Sequence, residues 1–373
     1  MDLLKLGRIL WRRVIRPRLF AKDPEEAHRV AIRLLERFES SHLLRILGFL
    51  YRSPFSDMPT SVGGVRWRNP AGLAPGLTKD GRGIAALDAL GFGAISIGTI
   101  TPSPQPGSPP PRIFRHYDDH RGTLHLVNRY GIPSEGAMRI SERVAAAHAR
   151  HRIRASLIFS LGPNTATLEK SRGSAILDGL INDYSLAAAF LLPVIRGDDA
   201  IQVNISSPSM TRLHDFIPSL PDLLGTLRER LDQMMAALNN SPLSLILKIS
   251  PDHQPKDYEL IVKAAAASRF NAIEAFNTTT DMNIKSFYRL NEEGGVSGDA
   301  LTALALRQTK TLAQIIQEAG APLDLIASGG IMNIQDALMR RNAGAKAILL
   351  YTGLVKNGPP LIYDILTAWH ATK

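Results

Sequence analysis

Eight short apolar runs that alternate with amphipathic helical stretches constrain the fold of this chain more than any other feature. The runs cover residues 72–74, 93–101, 156–161, 201–205, 243–249, 272–276, 323–327 and 345–350. The helical stretches between them include residues 134–148, 217–238, 258–267, 302–319 and 334–343. Strands that alternate with helices predict a parallel α/β domain, and eight such units predict a (β/α)8 TIM barrel.

A doubly wound open sheet is the alternative α/β architecture. That fold binds dinucleotides through a G-x-G-x-x-G turn, which follows its first strand. This chain lacks the motif, and its nearest approach, Gly91-Phe92-Gly93, precedes the apolar run. The sequence therefore favours the barrel.

A small helical unit precedes the barrel. Asp23 followed by Pro24 is a strong helix start, since the aspartate caps free N–H groups and proline needs none. An apolar stripe follows, Ser40 and Ser41 interrupt it, and a second short helix is predicted to end near Pro54. We expect residues 1–57 to form an N-terminal, membrane-associating helical unit and residues 58–373 to form the barrel.

Basic residues are concentrated at the N-terminus. The chain has a formal net charge of +10, and residues 1–20 hold six basic side chains against Asp2 alone. At helical spacing, Lys5, Arg8, Arg12 and Arg16 share one face opposite a leucine-rich face. This basic amphipathic helix predicts attachment to an anionic membrane surface; packing on the protein itself and a mitochondrial presequence are the alternatives. The longest uncharged apolar helical run has 12 residues, so no membrane span is expected.

Small and polar residues, with scarcely a carboxylate or histidine, follow the predicted strands. The carboxyl ends of barrel strands meet at one open face, where barrel enzymes hold their catalytic groups. A glycosidase needs facing carboxylates and a metal hydrolase needs clustered His and Asp, so neither is indicated and no metal site is predicted. The chain has no cysteine, which excludes disulfides, metal–thiolate sites and a cysteine base.

Glycines follow the last two predicted strands. Gly329-Gly330 and Tyr351-Thr352-Gly353 place backbone N–H groups where barrels commonly hold a phosphate, which predicts a phosphorylated cofactor. Lys248 ends the fifth run, and a buried ammonium there needs a balancing anion. A reduced flavin ring and a carboxylate elsewhere in the chain are the two candidates for that anion.

Several strings in these positions are specific enough to indicate a family. They are IGTITPSPQPG at residues 97–107, NRYG at 128–131, NISSP at 204–208 and NTT at 277–279. Further strings are FAKDPEEAH at 20–28 and GPPLI at 358–362, so nearly the whole chain is covered. The chain resembles the class 2, quinone-dependent dihydroorotate dehydrogenases.

The resemblance implies an FMN-dependent oxidation of (S)-dihydroorotate to orotate, in pyrimidine biosynthesis, with a membrane quinone as electron acceptor. It implies that Ser207 is the catalytic base. It implies substrate contacts by Lys79, Asn128, Asn204, Ser209, Asn277 and Thr278. It implies cofactor contacts by Ala74, Gly76, Thr99, Asn128, Ser160, Asn204, Lys248, Phe276, Gly295, Gly329, Gly330, Tyr351 and Thr352. The expected location is peripheral, on the cytoplasmic face of a bacterial inner membrane in preference to the mitochondrial inner membrane.

Some positions depart from the family pattern. The residues present are Thr78 for aspartate, Ile132-Pro133-Ser134 for Phe-Asn-Asn, Ser160 for asparagine, Ser209-Met210 for Asn-Thr and Phe276 for threonine. A lost amide leaves its substrate group unsatisfied, at a cost of about 1–3 kcal/mol. The alternative is a divergent paralogue that acts on another ring or activated C–C bond.

A non-catalytic membrane-surface or nucleic-acid-binding protein is the weaker alternative. It would need basic clusters interleaved with aromatic residues across the main domain. The chain is only 6% aromatic and its remaining charge is dispersed, so no nucleic-acid partner is expected.

Overall fold

The computed structural model describes residues 3–51, 53–170, 174–206 and 217–371. Its N-terminal part is helical. Helices α1 (Leu3–Leu10) and α2 (Arg16–Phe20) are joined by a π-helical turn, Trp11–Ile15, and are followed by α3 (Pro24–Glu39) and α4 (Leu43–Tyr51). The Asp23 side chain accepts hydrogen bonds from the N–H groups of Glu25 and Glu26, which confirms the predicted start of α3.

Eight parallel strands form a closed barrel, which confirms the predicted fold class. A short antiparallel hairpin, β1 (Thr60–Val62) and β2 (Val65–Trp67), precedes them. The barrel strands are β3 (Ala71–Thr78), β4 (Ala94–Ile100), β7 (Ser156–Leu161), β8 (Ala200–Asn204), β9 (Ser244–Ile249), β10 (Ala272–Ala275), β12 (Asp324–Ala327) and β13 (Ala347–Leu350). Their order around the barrel follows the chain, and β13 pairs with β3 to close it.

Helices surround the barrel. They are α5 (Ile84–Ala89), α6 (Ala137–Arg150), α7 (Thr165–Lys170), α8 (Ser174–Leu191), α9 (Leu220–Ala237), α10 (Pro255–Ala267), α11 (Met282–Phe287), α12 (Thr302–Glu318), α13 (Ile334–Asn342), α14 (Thr352–Asn357) and α15 (Pro360–Ala371). One described segment, Ala175–Val194, is long and apolar enough to cross a membrane. It packs between α6 and α9 with 44% of its apolar window buried, as the core helix of a barrel does.

A three-stranded antiparallel sheet, which the sequence analysis did not predict, lies outside the barrel. It consists of β5 (Ile113–Asp118), β6 (Thr123–Asn128) and β11 (Gly295–Gly298), in the order β11-β6-β5. The strands β5 and β6 follow the proline-rich loop after β4, and β11 comes from the segment between β10 and β12. The register of this sheet pairs Asn128 with Gly295.

The barrel interior is built in two layers with different chemistry. The lower layer is apolar and consists of Ala94, Ile158, Ala200, Ile246, Ala272, Ile326 and Ala347, packed against Trp67 of the hairpin. Two residues further along six of these strands stand Ser96, Ser160, Gln202, Lys248, Glu274 and Ser328, all buried. Because side chains repeat every second residue along a strand, these polar groups form the next layer toward the carboxyl ends.

The basic N-terminal helix contacts the barrel, which is the packing that the sequence analysis kept as an alternative to membrane attachment. Arg8 pairs with Asp364 of α15, and the Trp11 indole N–H donates to the Lys356 carbonyl at 3.2 Å. Arg16 also reaches that carbonyl, at 3.4 Å. Arg8 and Arg16, two of the four residues on the predicted basic face, therefore help to dock the helix on the barrel.

Candidate active site

Two adjoining cavities open at the carboxyl ends of the barrel strands. The first, about 150 Å³, lies against the last strands, and the second, about 100 Å³, lies against β3, β4 and β8. Both are lined by Pro75, Gly76, Asn128, Tyr130, Lys248 and Asn277. The shared walls show that the two cavities are halves of one site.

Most of the predicted cofactor residues meet in the first cavity. Those that line it are Ala74, Gly76, Asn128, Lys248, Phe276, Gly329, Gly330, Tyr351 and Thr352. Thr99 and Asn204 line the second cavity instead. Ser160 and Gly295 line neither of the two: Ser160 is fully buried in β7, and the Gly295 carbonyl accepts a hydrogen bond from Asn128 Nδ2 at 3.3 Å.

Glycine is required where the first cavity meets the strand ends. Gly330 has φ +65°, and a Cβ there would lie 2.5 Å from the Cα and N of Thr302. A side chain at Gly353 would clash with the Ile331 carbonyl oxygen. The first turn of α14, which starts at Thr352, also has N–H groups without helical partners. This narrow, N–H-rich wall suits a phosphate group.

The donor groups of the first cavity fit FMN. Lys248 is the one charged side chain among the described residues that line it. The Thr278 hydroxyl also lines the cavity, is buried, and has no hydrogen-bond partner within the part of the chain that the structure describes. A buried hydroxyl without a partner is costly, so a ligand that pairs with it would stabilise the site. A phosphorylated ring with polar edges has the groups that these residues need.

The structure locates the carboxylate that balances Lys248. Lys248 Nζ lies 2.7 Å from Glu274 Oε1, and the register of β9 and β10 places the two residues side by side. Glu274 is fully buried and also accepts hydrogen bonds from Ser328 Oγ, at 2.8 Å, and from Gln202. Of the two anions that the sequence left open for Lys248, the carboxylate is present. Sequence reasoning missed Glu274, although an acidic residue within an apolar run was a signal.

The second cavity contains most of the predicted substrate residues. Lys79, Asn128, Asn204 and Asn277 line it, whereas Thr278 lines the first cavity. The Lys79 ammonium lies 2.8 Å from the centroid of the Tyr130 ring. Burial, followed by the nearby Arg112, lowers the pKa of Lys79 well below its usual value. A bound carboxylate would offset both effects and hold the lysine charged.

Amide groups on the other wall of the second cavity are oriented by neighbouring residues. Asn204 Nδ2 donates to Thr99 Oγ1 at 3.0 Å. Asn277 Nδ2 donates to the Ser206 carbonyl at 3.0 Å. Amide oxygens and N–H groups held in fixed directions can recognise a ring that presents both donors and acceptors.

The residues that depart from the family pattern do not all lie in the same cavity. Ile132, with φ +53°, and Pro133 line the second cavity, and Phe276 lines the first. The Thr78 hydroxyl donates to the Arg82 carbonyl at 2.7 Å and is buried. Ser207, Ser209 and Met210 lie outside the described residues. No group of three His, Asp or Glu side chains that could hold a metal occurs in the described ranges.

A third, apolar cavity of about 300 Å³ lies between the N-terminal helices and the barrel. Ile113, Leu126 and Tyr351 line both this cavity and the first one. His28 and Arg115 also line it. Burial is the main cause that lowers the pKa of His28 to about 4, with a smaller effect of Lys79. Sequence reasoning predicted the apolar helices but could not place this cavity beside the first.

Comparison with known proteins agrees with this geometry. The dihydroorotate dehydrogenase family model matches residues 58–371. A dihydroorotate dehydrogenase (quinone) of Acidithiobacillus ferrooxidans is 35% identical over 361 residues, which are 95% of this chain and 93% of that protein. That of Shewanella halifaxensis is 33% identical over 94% of this chain and 96% of its own length.

Solved structures show the same fold. The crystal structure of DHODH from Eimeria tenella in complex with ferulenol is 25% identical, with a TM-score of 0.74, and the match covers 93% of this chain and 90% of that one. The ligand-free form from the same organism is 26% identical, also with a TM-score of 0.74. The family model covers the barrel, and the relatives match this chain over most of its length and most of their own. The chain therefore belongs to the dihydroorotate dehydrogenase family of oxidoreductases.

Proposed function

We propose that this protein oxidises (S)-dihydroorotate to orotate with FMN as cofactor and passes the electrons to a membrane quinone, as a step of pyrimidine biosynthesis. The names of the relatives support the substrate and the acceptor. The observation that supports it most in the structure is that Ile113, Leu126 and Tyr351 line two cavities. One is the first cavity, with Lys248 and the amides of Asn128 and Asn277, and the other is the apolar cavity. Two reactants of opposite polarity can thus approach one cofactor separately.

FMN belongs in the first cavity. Its phosphate would be held by the backbone around Gly329, Gly330 and Thr352, and its ring by Lys248 and the side chains that line the remaining wall. When bound there, FMN supplies an acceptor for the hydride that leaves a substrate carbon.

The substrate belongs in the second cavity. Lys79 would bind its carboxylate, and Asn128, Asn204 and Asn277 would bind its ring amides. Ser207 would remove a proton from the carbon next to the one that loses the hydride. One C–H bond on each of the two carbons would break, and a C=C bond would form between them. A serine hydroxyl is a weak base in water and needs a site whose donors stabilise the developing charge.

The quinone belongs in the apolar cavity. Leu43, Ile46 and Leu50 of α4 and Leu10 of α1 line it, and Leu10, Leu43 and Ile46 are also exposed to solvent. The cavity therefore reaches the protein surface between α1 and α4 through apolar side chains. His28 is neutral above about pH 4, so Arg115 is the one charged side chain among the described residues that line this cavity. Its guanidinium donates to the Phe20 and Lys22 carbonyls at 2.6 and 2.7 Å.

The same surface would rest on a membrane. Ile9 and Ile46 are each 53% exposed and Phe49 is 75% exposed. Lys5 of α1 and Arg12 of the π-helical turn that follows it are also exposed. Apolar side chains beside cations favour the interface of an anionic bilayer, which fits a peripheral location on the cytoplasmic face of a bacterial inner membrane. Full-length protein should sediment with anionic vesicles, and protein lacking residues 1–20 should stay in solution; equal partition would contradict this location.

The two parts of the chain would serve the two half-reactions, reduction of the flavin by the substrate and its reoxidation by the quinone. Residues 1–57 would serve the acceptor, and residues 58–373 would hold the flavin and the substrate. Anaerobic addition of dihydroorotate to the purified FMN-containing protein tests the function directly. We expect the yellow absorbance to fall and to return when a short-chain ubiquinone is added. A protein that binds FMN but is not reduced by dihydroorotate would contradict the proposal and favour the divergent paralogue.

A further inference from the structure

We propose that Glu274 is the counter-charge and positioning residue of Lys248, and that it lowers the reduction potential of the flavin bound beside them. Nothing in the sequence motifs or in the names of the relatives assigns a role to this carboxylate. The inference rests on the proposed function only in that it requires a flavin in the first cavity.

The polar layer of the barrel is the first observation. This layer, directly above the apolar one, contains four polar residues from β8, β9, β10 and the end of β12. They are Gln202, Lys248, Glu274 and Ser328. Their exposed fractions are 0%, 4%, 0% and 2%, so water has no access to the carboxylate. A carboxylate in such a place is expensive unless it is paired and hydrogen-bonded, and this one is both.

The contacts of Glu274 are the second observation. One oxygen, Oε1, accepts from the Lys248 ammonium at 2.7 Å and from Ser328 Oγ at 2.8 Å, and the other, Oε2, accepts from Gln202. Ser328 Oγ also lies 2.7 Å from the Phe276 carbonyl, which ties the network to the wall of the first cavity. Three donors therefore hold the carboxylate from three strands. The Lys248 ammonium is fixed in turn, because its partner cannot move.

Charge is the third observation. Lys248 is the one charged side chain that lines the first cavity within the described residues, and Glu274 lies just behind it. A lone ammonium would strongly favour the added negative charge of a reduced flavin. A carboxylate 2.7 Å away makes the pair neutral overall. In a dry interior its negative charge therefore reduces the positive potential that Lys248 produces in the cavity. Glu274 should therefore weaken the preference of the site for reduced flavin.

The test is the midpoint potential of the flavin in the holoenzyme, measured by equilibration with a redox dye, together with the dissociation constant of FMN. Glu274→Gln keeps the shape and removes the charge. We expect it to raise the ratio of reduced to oxidised flavin about tenfold at a fixed potential, which is about 30 mV for a two-electron couple. Lys248→Met removes the opposite charge and should shift the potential downward.

The double variant, Lys248→Met with Glu274→Gln, should bring the potential back close to that of the unmodified protein, since the pair is again neutral. Ser328→Ala is the matched control: it removes a hydrogen bond to the same oxygen without changing charge, and it should shift the potential less than Glu274→Gln. A role in folding alone would lower thermal stability in all of these variants without the opposite signs. Because each single variant has its own expected sign, one that fails to fold leaves the other to decide.

An unchanged potential in flavin-loaded Glu274→Gln would contradict the inference and leave the proposed function intact. So would shifts of the same sign in both single variants. A chain that takes up no FMN at all would instead contradict the proposed function, and the inference with it.

Discussion

The polar cavities at the barrel mouth and the apolar cavity under the N-terminal helices are built in opposite ways. The polar side is assembled from strand ends, whose glycines, amides and lysines are fixed by the barrel register. The apolar side is assembled from helix faces, whose leucines and isoleucines adapt to an apolar ligand. Only Ile113, Leu126 and Tyr351 line both the first cavity and the apolar one among the described residues.

This difference shows how one cofactor can react with both a water-soluble substrate and a lipid-soluble acceptor. Rigid strand ends can orient a charged substrate for proton and hydride removal, where small displacements are costly. Electron transfer to a lipophilic acceptor needs proximity and an apolar path more than it needs fixed hydrogen bonds. Burial raises the pKa of Tyr351 to about 12, so the shared wall stays uncharged at physiological pH.

The largest expected effect is on the polar side alone. Ser207→Ala should slow flavin reduction by dihydroorotate about 10²–10⁴-fold, because a general base acts in the transition state. Stopped-flow absorbance measures that half-reaction. Binding of orotate to the oxidised protein, followed by the shift of the flavin spectrum, should change little. Reduction at the unmodified rate would show that another group removes the proton.

A backbone change at the barrel mouth should have the next largest effect. Gly330→Ala must place a methyl group 2.5 Å from Thr302 at φ +65°, at a cost of about 1–3 kcal/mol. We expect FMN to bind at least tenfold more weakly, as measured by fluorescence titration of the apoprotein. Gly197→Ala is the matched control, since a methyl group there meets nothing within 4 Å. Equal FMN affinity in both variants would remove Gly330 from the proposed phosphate wall.

Filling the apolar cavity should affect only the acceptor. Ala31→Phe adds a ring to the cavity lining and takes space that the ligand would fill. The KM for quinone should therefore rise roughly tenfold, which corresponds to about 1.4 kcal/mol of binding free energy. Flavin reduction by dihydroorotate should keep its rate. Arg33→Phe places the same ring on the exposed face of α3 and is the control. A slower reductive half-reaction in Ala31→Phe would mean that the two sides are not separate.

The smallest expected effect is the pH dependence of stability on the apolar side. Because the pKa of His28 is lowered to about 4, the unfolded chain takes up a proton near pH 6.5 that the folded protein refuses. Stability is therefore present above about pH 6.5 and lost as the pH falls toward 4. Between pH 7 and pH 5 the unmodified protein should lose about 1–2 kcal/mol more than His28→Gln in urea unfolding. His120→Gln, at an exposed position, is the control, and parallel curves for all three proteins would contradict the burial of His28.

The barrel could be predicted from the sequence because each of its units has its own local pattern. The run at residues 244–249 is apolar except at Ser244 and Lys248, and the helix that starts at Pro255 has a clear cap. The hairpin β1–β2 and the sheet of β5, β6 and β11 could not be predicted. The three-residue strands of the hairpin are too short for a period to show, and β11 joins β6 from far along the chain.

The site could be predicted only where a residue's role depends on its own strand end. Lys79, Asn204 and Asn277 meet as expected because the ends of parallel strands converge. Asn128 reaches the same cavity from β6, which lies outside the barrel. Glu274 was missed because its partners, Lys248, Gln202 and Ser328, lie on other strands and are selected by the register. The contact of Arg8 could not be predicted either, because a helical wheel shows the basic face but not the Asp364 that it contacts.

The proposed arrangement lets substrate and quinone reach one flavin from two separate sides. Its most direct test is the rate at which a short-chain ubiquinone reoxidises the reduced protein, measured by stopped flow with and without saturating orotate. Separate cavities predict that orotate leaves the dependence of this rate on quinone concentration unchanged, while it competes with dihydroorotate in the reductive half-reaction. Competition between orotate and quinone would contradict the claim, because it would place both reactants in the same cavity.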